Sequence, residues 1–308
     1  MDSLNYSLKD TNLSGKVVIM TGVNDGIGKN LACYISSFKP KRLILPACDR
    51  SSSGRVLDYI RAKTGEENAE IWDMDLENFD SVRKFGRRIV DEIGETHVLI
   101  NNAEFWSKEL IKTKDGLEKQ FQINYLGHFL LTNILIETLK KSGTPEFPAR
   151  IIHISPSLNR RAVIDRDNFD GSKSNKMFEL YNNSKFMNIV FSNELNRRLA
   201  LTKVVSVVIC PGIIKSHLSQ LNGIHQFWKT ITIKLNGQKA SRKSSFNVLY
   251  PIFSPDIQKN RGIYFENGRV TKVNPKADDV ALGKELWKVS DEIVQSVLRK
   301  YGIPDGEI

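Results

Sequence analysis

Short runs of apolar, β-branched residues alternate along the chain with longer stretches that are apolar on one side only. The runs Val17–Thr21, Leu43–Pro46, Glu70–Trp72, Val98–Ile100, Arg150–Ser155 and Val204–Cys210 read as strands. Between them, Ile27–Ser37, Gly54–Lys63, Phe79–Glu92, Leu117–Lys141 and Tyr181–Leu201 repeat apolar residues at spacings of three and four, which predicts helices. Strand and helix in alternation imply a parallel sheet covered on both faces. Continuously apolar runs such as Val17-Val18-Ile19-Met20 suit strands buried on both sides. After Pro211 the pattern changes. Ile213–Gly237 mixes Ile, Leu, Phe227 and Trp228 with Lys and His and shows no clear strand. A lid of loop and short helix over the strand ends, within residues 213–245, is the simplest expectation.

Composition adds limits rather than identity. A chain of 308 residues with 40% hydrophobic content buries a substantial core, and one α/β domain spanning 1–308 is the expectation. No stretch approaches a membrane span, and the polar start Met1–Gly15 lacks the apolar run of a signal peptide. Cys33, Cys48 and Cys210 lie far apart without a CxxC pair, which argues for a reducing compartment and against a zinc or disulfide framework; they are expected to be buried packing residues. The net charge of +10 suits any polyanionic partner, but its basic residues are dispersed over predicted helix faces beside acidic ones, and no nucleic-acid motif accompanies them. No nucleic-acid partner and no metal are expected.

Candidate chemistry begins after the first strand, at Thr21-Gly22-Val23-Asn24-Asp25-Gly26-Ile27-Gly28. Gly22 lets the chain turn sharply, Gly26 lets backbone approach a pyrophosphate, and Gly28 lets the following helix pack closely on the strand. The helix then turns its free amides and partial positive charge toward the phosphates. Tyr181 and Lys185 stand four apart on one face of a predicted helix, where an ammonium favours a neighbouring phenolate and lowers the phenol's proton affinity. The pair follows the fifth strand and precedes the sixth, so it is expected at the ligand crevice beyond the strand ends.

The turn TGxxxGIG resembles the cofactor fingerprint of short-chain dehydrogenases/reductases. In the same order, Asp75-Leu76 resembles that family's adenine-contacting pair, Asn101-Asn102-Ala103 its NNAG segment, and Pro211-Gly212-Ile213-Ile214-Lys215-Ser216 its PGxxxT segment. Within the family, the likeness is to retinol dehydrogenases and their relatives, on Leu13-Ser14-Gly15-Lys16-Val17, Asn124-Tyr125-Leu126-Gly127-His128-Phe129 and Leu286-Trp287-Lys288-Val289-Ser290. The likeness runs from Leu13 to about Val297.

The resemblance implies a doubly wound, Rossmann-type parallel sheet. It also implies an NAD(P)-dependent oxidoreductase that interconverts a carbonyl and an alcohol on a lipophilic substrate of the retinoid, steroid or aldehyde class. Tyr181 would exchange the proton, Lys185 would tune Tyr181 and grip a ribose, and Asn124 would hold a water in a proton relay, with a buried structural amide as the rival reading. The cofactor would contact Gly22, Asn24, Asp25, Gly26, Ile27, Gly28, Asp75, Leu76, Asn102, Ala103, Pro211, Gly212, Ile214 and Ser216. Asp49 suits the 2′-hydroxyl of NAD and Arg50, with Lys29, the 2′-phosphate of NADP; both cofactors stay open, with a lean to NADP. The family commonly dimerises through its two long helices. Several retinol dehydrogenases carry an N-terminal anchor that this sequence lacks, so a cytoplasmic protein is expected, and any peripheral membrane contact would come from Ile213–Gly237.

Two positions depart from the family pattern. The fifth strand ends His153-Ile154-Ser155-Pro156-Ser157, which puts Pro156 where the family has its catalytic Ser, and proline offers neither hydroxyl nor amide hydrogen. Ser155 or Ser157 could substitute after a local shift, although strand alternation points both away. Glu104 stands where NNAG has its glycine and adds bulk and negative charge beside the cofactor. A catalytically impaired nucleotide-binding sensor or scaffold of the same fold is therefore the alternative.

Overall fold

The computed structural model describes residues 12–24, 26–174, 176–212, 245, 247–254, 257, 262, 264–266 and 269–306, without the side chains of residues 50–53. Six strands follow the predicted runs: β1 (Val17–Met20), β2 (Arg42–Ala47), β3 (Ala69–Asp73), β4 (Val98–Asn101), β5 (Ala149–Ile154) and β6 (Val204–Cys210). Two further strands, β7 (Tyr264–Glu266) and β8 (Arg269–Val270), extend the sheet. The order is β3-β2-β1-β4-β5-β6-β7-β8, parallel throughout except for the antiparallel β7–β8 pair. Strand order reverses between β1 and β4, and at such a switch point the strand ends part to leave a crevice.

Burial on both faces explains the sequence of the central strands. Successive side chains of β1 alternate sides: Val17 and Ile19 join one apolar cluster, Val18 and Met20 the other. The second cluster lies under α1 (Gly26–Ser37), α2 (Arg50–Thr64) and α7 (residues 247–253). The first lies under α3 (Phe79–Glu92), α5 (Gly127–Ser142), α6 (Met177–Arg198) and α8 (Val280–Lys300). The doubly wound, Rossmann-type sheet with helices on both faces is present as expected.

One predicted helix is interrupted. In place of an unbroken Leu117–Lys141, the chain makes a short helical turn α4 (Lys119–Phe121), a π turn over Gln122–Leu126, and then α5. A π turn adds a residue to the helical repeat and re-aims its side chains, a device common at functional sites. Here it carries Asn124, and it buries Tyr125 so that its hydroxyl meets Ser290 of α8 at 2.7 Å.

Helix α8 lies against α6. Its Trp287 packs on Phe129 of α5 and Phe191 of α6, with ring centroids 5.1 and 5.6 Å apart, and Arg198 stacks on its other side. Part of the face of the two long helices is thus taken by the chain's own C-terminal helix. A homodimer through those helices would have to use what α8 leaves open. Of the three cysteines expected to be buried, only Cys210 is; Cys33 is half-buried and Cys48 is exposed at the end of β2. Among the described residues, no helix is long and apolar enough to cross a membrane. The expected lid at 213–245 lies, except for residue 245, outside the described residues.

Phe191 is 2% exposed and touches the rings of Tyr125, Phe129, His153 and Trp287. Phe191→Ala is expected to cost about 3–5 kcal/mol. Chemical denaturation would read this as a lower midpoint at constant slope, and a loss below about 1 kcal/mol would contradict the packing described.

Candidate functional site

The site is built around Thr21, the last residue before the glycine turn. Its hydroxyl accepts the backbone N–H groups of Asn102 at 3.0 Å and Ala103 at 2.9 Å, and its Oγ1 lies 2.9 Å from Nε2 of His128. In return, the Asn102 side-chain amide donates to the carbonyls of Thr21 at 3.0 Å and Gly22 at 2.8 Å. The ends of β1 and β4 are thereby bound to each other. Burial, and then the charge of Lys185, hold the His128 imidazole down to about 3, so it stays neutral in this network.

This close approach dictates the glycines. Gly22 has φ +74°, and a Cβ there would stand 2.5 Å from the Ala103 Cα. A Cβ on Gly28 would stand 1.9 Å from the Gly22 carbonyl oxygen, so the first turn of α1 can sit on the loop only without a side chain. That first turn, Gly26 to Lys29, carries no acidic residue to offset the positive end of the helix.

A cleft of about 450 Å³ runs from this turn along the strand ends. Gly22, Asn24, Gly26, Ile27 and Gly28 line it at one end, with Asp75, Leu76, Asn102 and Ala103 on its walls. Pro211 and Gly212 close another side, and Tyr181 lies in the same cleft. Asp75 is held by Lys114 at 3.0 Å. Asp49 is exposed and does not line the cleft, and the Lys29 ammonium sits over the Tyr59 ring, 4.2 Å from its centroid. Asp25, Ile214 and Ser216, and the side chain of Arg50, lie outside what is described.

Trp106, Ile123, Ile154, Leu158 and Phe178 line the same cleft as Tyr181 and give it apolar surface. Pro156 lines the cleft as its sequence position implies. Ser155, expected among the catalytic residues, does not: its hydroxyl is buried and donates to the Lys185 carbonyl at 2.9 Å. Strand alternation turns it into α6. Ser157 is exposed at the head of a 3₁₀ turn.

Tyr181 and Lys185 come together as their spacing predicts, but with a third group between them. Oε2 of Glu104 accepts the Tyr181 hydroxyl at 3.0 Å and pairs with the Lys185 ammonium at 2.8 Å. In this arrangement the Lys185 charge is met by Glu104. Burial, followed by the Glu104 carboxylate, pushes the phenol well above its usual range.

Asn124 points at the backbone beside Glu104. Its Oδ1 accepts the Phe105 N–H at 2.6 Å, and its Nδ2 donates to the Phe105 carbonyl at 3.0 Å and to the Ser184 hydroxyl at 3.1 Å. Ser184 in turn donates to the Tyr181 carbonyl at 2.8 Å. The structural reading of Asn124 describes these contacts: it fixes the segment that carries Glu104.

The pattern of matches to known proteins agrees with this architecture. Residues 16–225 match the family model for short chain dehydrogenase. The chain belongs to the short-chain dehydrogenase family. This short-chain dehydrogenase is 32% identical to retinol dehydrogenase 14 of Mus musculus over 302 residues, covering 92% of this chain and 86% of that protein. It is 31% identical to polyprenol dehydrogenase of Homo sapiens, covering 90% and 84%. Among solved structures, an uncharacterized protein from Mycobacterium paratuberculosis superposes with a TM-score of 0.72 at 22% identity, over 94% of this chain and 97% of that one. The NADP complex of Pseudomonas aeruginosa RhlG superposes with a TM-score of 0.62 at 18% identity, over 83% and 95%.

The sequence pattern does not mark the apolar lining, because Trp106, Ile123, Leu158 and Phe178 come from a loop, the π turn, a 3₁₀ turn and the first turn of α6 and share no period. It marked Glu104 by its place in NNAG but not its reach to Tyr181 and Lys185. In this short-chain dehydrogenase, Gly28→Ala would set a methyl group against the Gly22 carbonyl. A loss of about 1–3 kcal/mol is expected. It would appear as a lower thermal midpoint, and an unchanged midpoint would mean that the turn and α1 are not packed this tightly.

Proposed function

We propose that this short-chain dehydrogenase is an NAD(P)-dependent oxidoreductase that interconverts a carbonyl and an alcohol on a lipophilic substrate. The observation that carries this reading is that the Gly22–Gly28 turn and Tyr181 line one cleft. The lack of a side chain at Gly26 and of an acidic residue in the first turn of α1 suits a pyrophosphate. The apolar lining of the cleft favours a hydrocarbon-rich substrate of the retinoid, steroid or aldehyde class, and the retinol and polyprenol dehydrogenases among its relatives bear the same way.

In this mechanism the nicotinamide dinucleotide supplies or takes up the hydride. Gly22, Asn24, Gly26, Ile27 and Gly28 would hold its phosphates, while Asp75, Leu76, Asn102, Ala103, Pro211 and Gly212 would form the walls; the family likeness adds Asp25, Ile214 and Ser216, which lie outside the described residues. Asp49 and Arg50 are the groups that would choose between a 2′-hydroxyl and a 2′-phosphate, and NADP is the lean. The Tyr181 hydroxyl exchanges a proton with the substrate oxygen, and the Lys185 charge favours the phenolate once Glu104 has moved off both. Asn124 is a positioning residue.

The site lacks a donor that this chemistry ordinarily uses. Pro156 has no hydroxyl and Ser155 is turned away, a loss typically worth about 100- to 1000-fold in rate. The contact of Glu104 with both Tyr181 and Lys185 favours a second reading, a nucleotide-binding protein of the same fold with little turnover.

A titration with NADPH and NADH, followed by a panel of retinoids, steroids and aliphatic aldehydes, separates the two. The first reading expects binding and slow turnover, raised about 10- to 1000-fold by Pro156→Ser. Binding without turnover in either form leaves the second, and failure to bind both dinucleotides rejects the pair.

A further inference from the structure

The two ends of the cleft differ in what already occupies them. At the turn end, a Cβ on Gly26 would meet nothing within 4 Å among the described residues, and the first turn of α1 carries no acidic side chain. At the Tyr181 end, two polar donors are engaged by one atom of the protein itself, Glu104 Oε2.

That engagement is hard to undo. The Lys185 side chain is 1% exposed, and among the described residues its ammonium also approaches the Ile154 carbonyl, at 3.5 Å. A buried ammonium stripped of its carboxylate is costly, so any polar group entering here must replace Glu104 rather than add to it. Glu104 is also held from behind: Asn124 binds both the N–H and the carbonyl of Phe105, the next residue. The carboxylate side chain is 26% exposed, which gives it solvent to move into when displaced.

We propose that Glu104 is a built-in occupant of the Tyr181–Lys185 end and sets which ligands the cleft distinguishes. An adenine nucleotide that fills only the turn end binds without disturbing it. A full dinucleotide gains little from its second half, because that half must evict Glu104 to reach Tyr181 and Lys185. The inference rests on the dinucleotide reading of the cleft given above. It deepens that reading by naming Glu104 as the residue that makes this protein respond to ADP-like ligands as strongly as to NAD(P)H.

The test is calorimetric and needs no turnover. ADP is titrated against NADH, and 2′,5′-ADP against NADPH, into the native chain, Glu104→Ala and Glu104→Gln. In the native protein each pair is expected to agree within about threefold, and Glu104→Ala should tighten the dinucleotide alone, by about 10- to 100-fold, the worth of one hydrogen bond to a charged group. Glu104→Gln keeps the shape, loses the charge and should give a smaller gain of the same sign; it also serves if the Ala variant folds poorly. A native dinucleotide preference above about tenfold overturns the proposal, as does an equal change for both members of a pair. If neither nucleotide nor dinucleotide binds the native chain, the cleft reading itself has failed, and that outcome is distinct from either.

Discussion

The architecture of the site depends on one junction, the Thr21 hydroxyl buried between β1 and β4. Two backbone amides from Asn102 and Ala103 end on it, and the Asn102 side chain returns two hydrogen bonds to the turn. Buried polar backbone tolerates no orphan, so this exchange fixes both segments at once. It brings Ala103 so close to Gly22 that no side chain fits between them, and it sets the direction in which the chain leaves β4. Glu104 is the next residue along that direction. The glycine turn and the carboxylate that reaches Tyr181 are therefore consequences of the same contact.

From that junction outward, a chain of buried polar groups is satisfied by protein atoms. His128 meets Thr21, Asn124 meets Phe105 and Ser184, and Lys185 meets Glu104. The π turn over Gln122–Leu126 makes this possible, since it brings Asn124 onto the Phe105 backbone while Tyr125 turns into the core beneath α8. A regular helix through the same residues would aim them differently. Low local dielectric strengthens each link when made and penalises each when broken, so the network resists partial rearrangement.

Much of this was legible in the sequence, for identifiable reasons. Strands buried on both faces are apolar without interruption, and the six long ones stood out to within two residues at either end. β7 and β8, of three and two residues, are too short to show a period. Helix α8 does carry one, with Leu282, Leu286, Val294, Val297 and Leu298 buried, yet only its Leu286–Ser290 stretch drew notice, through the family likeness. Glycines and the Tyr181/Lys185 spacing located the cleft because each has a steric or helical reason. What stayed hidden was contact between distant segments. No local pattern tells that a residue at 104 meets one at 181 and one at 185, or that Ser155 faces α6 rather than the cleft.

The two departures from the family pattern bear on each other physically. A hydroxyl at position 156 would place a donor beside Tyr181 for an oxygen-bearing ligand; with Pro156 that donor is missing, and a ligand oxygen is held less strongly. Tyr181 and Lys185 then stand as buried donors with less to gain from a ligand, and buried donors are costly when unpaired. Glu104 supplies the acceptor from within the chain. Active sites commonly hold polar groups in unsatisfied arrangements at the expense of stability, and filling them internally reverses that exchange. The Glu104 pairing thus satisfies both buried donors by the same contact that raises the Tyr181 phenol.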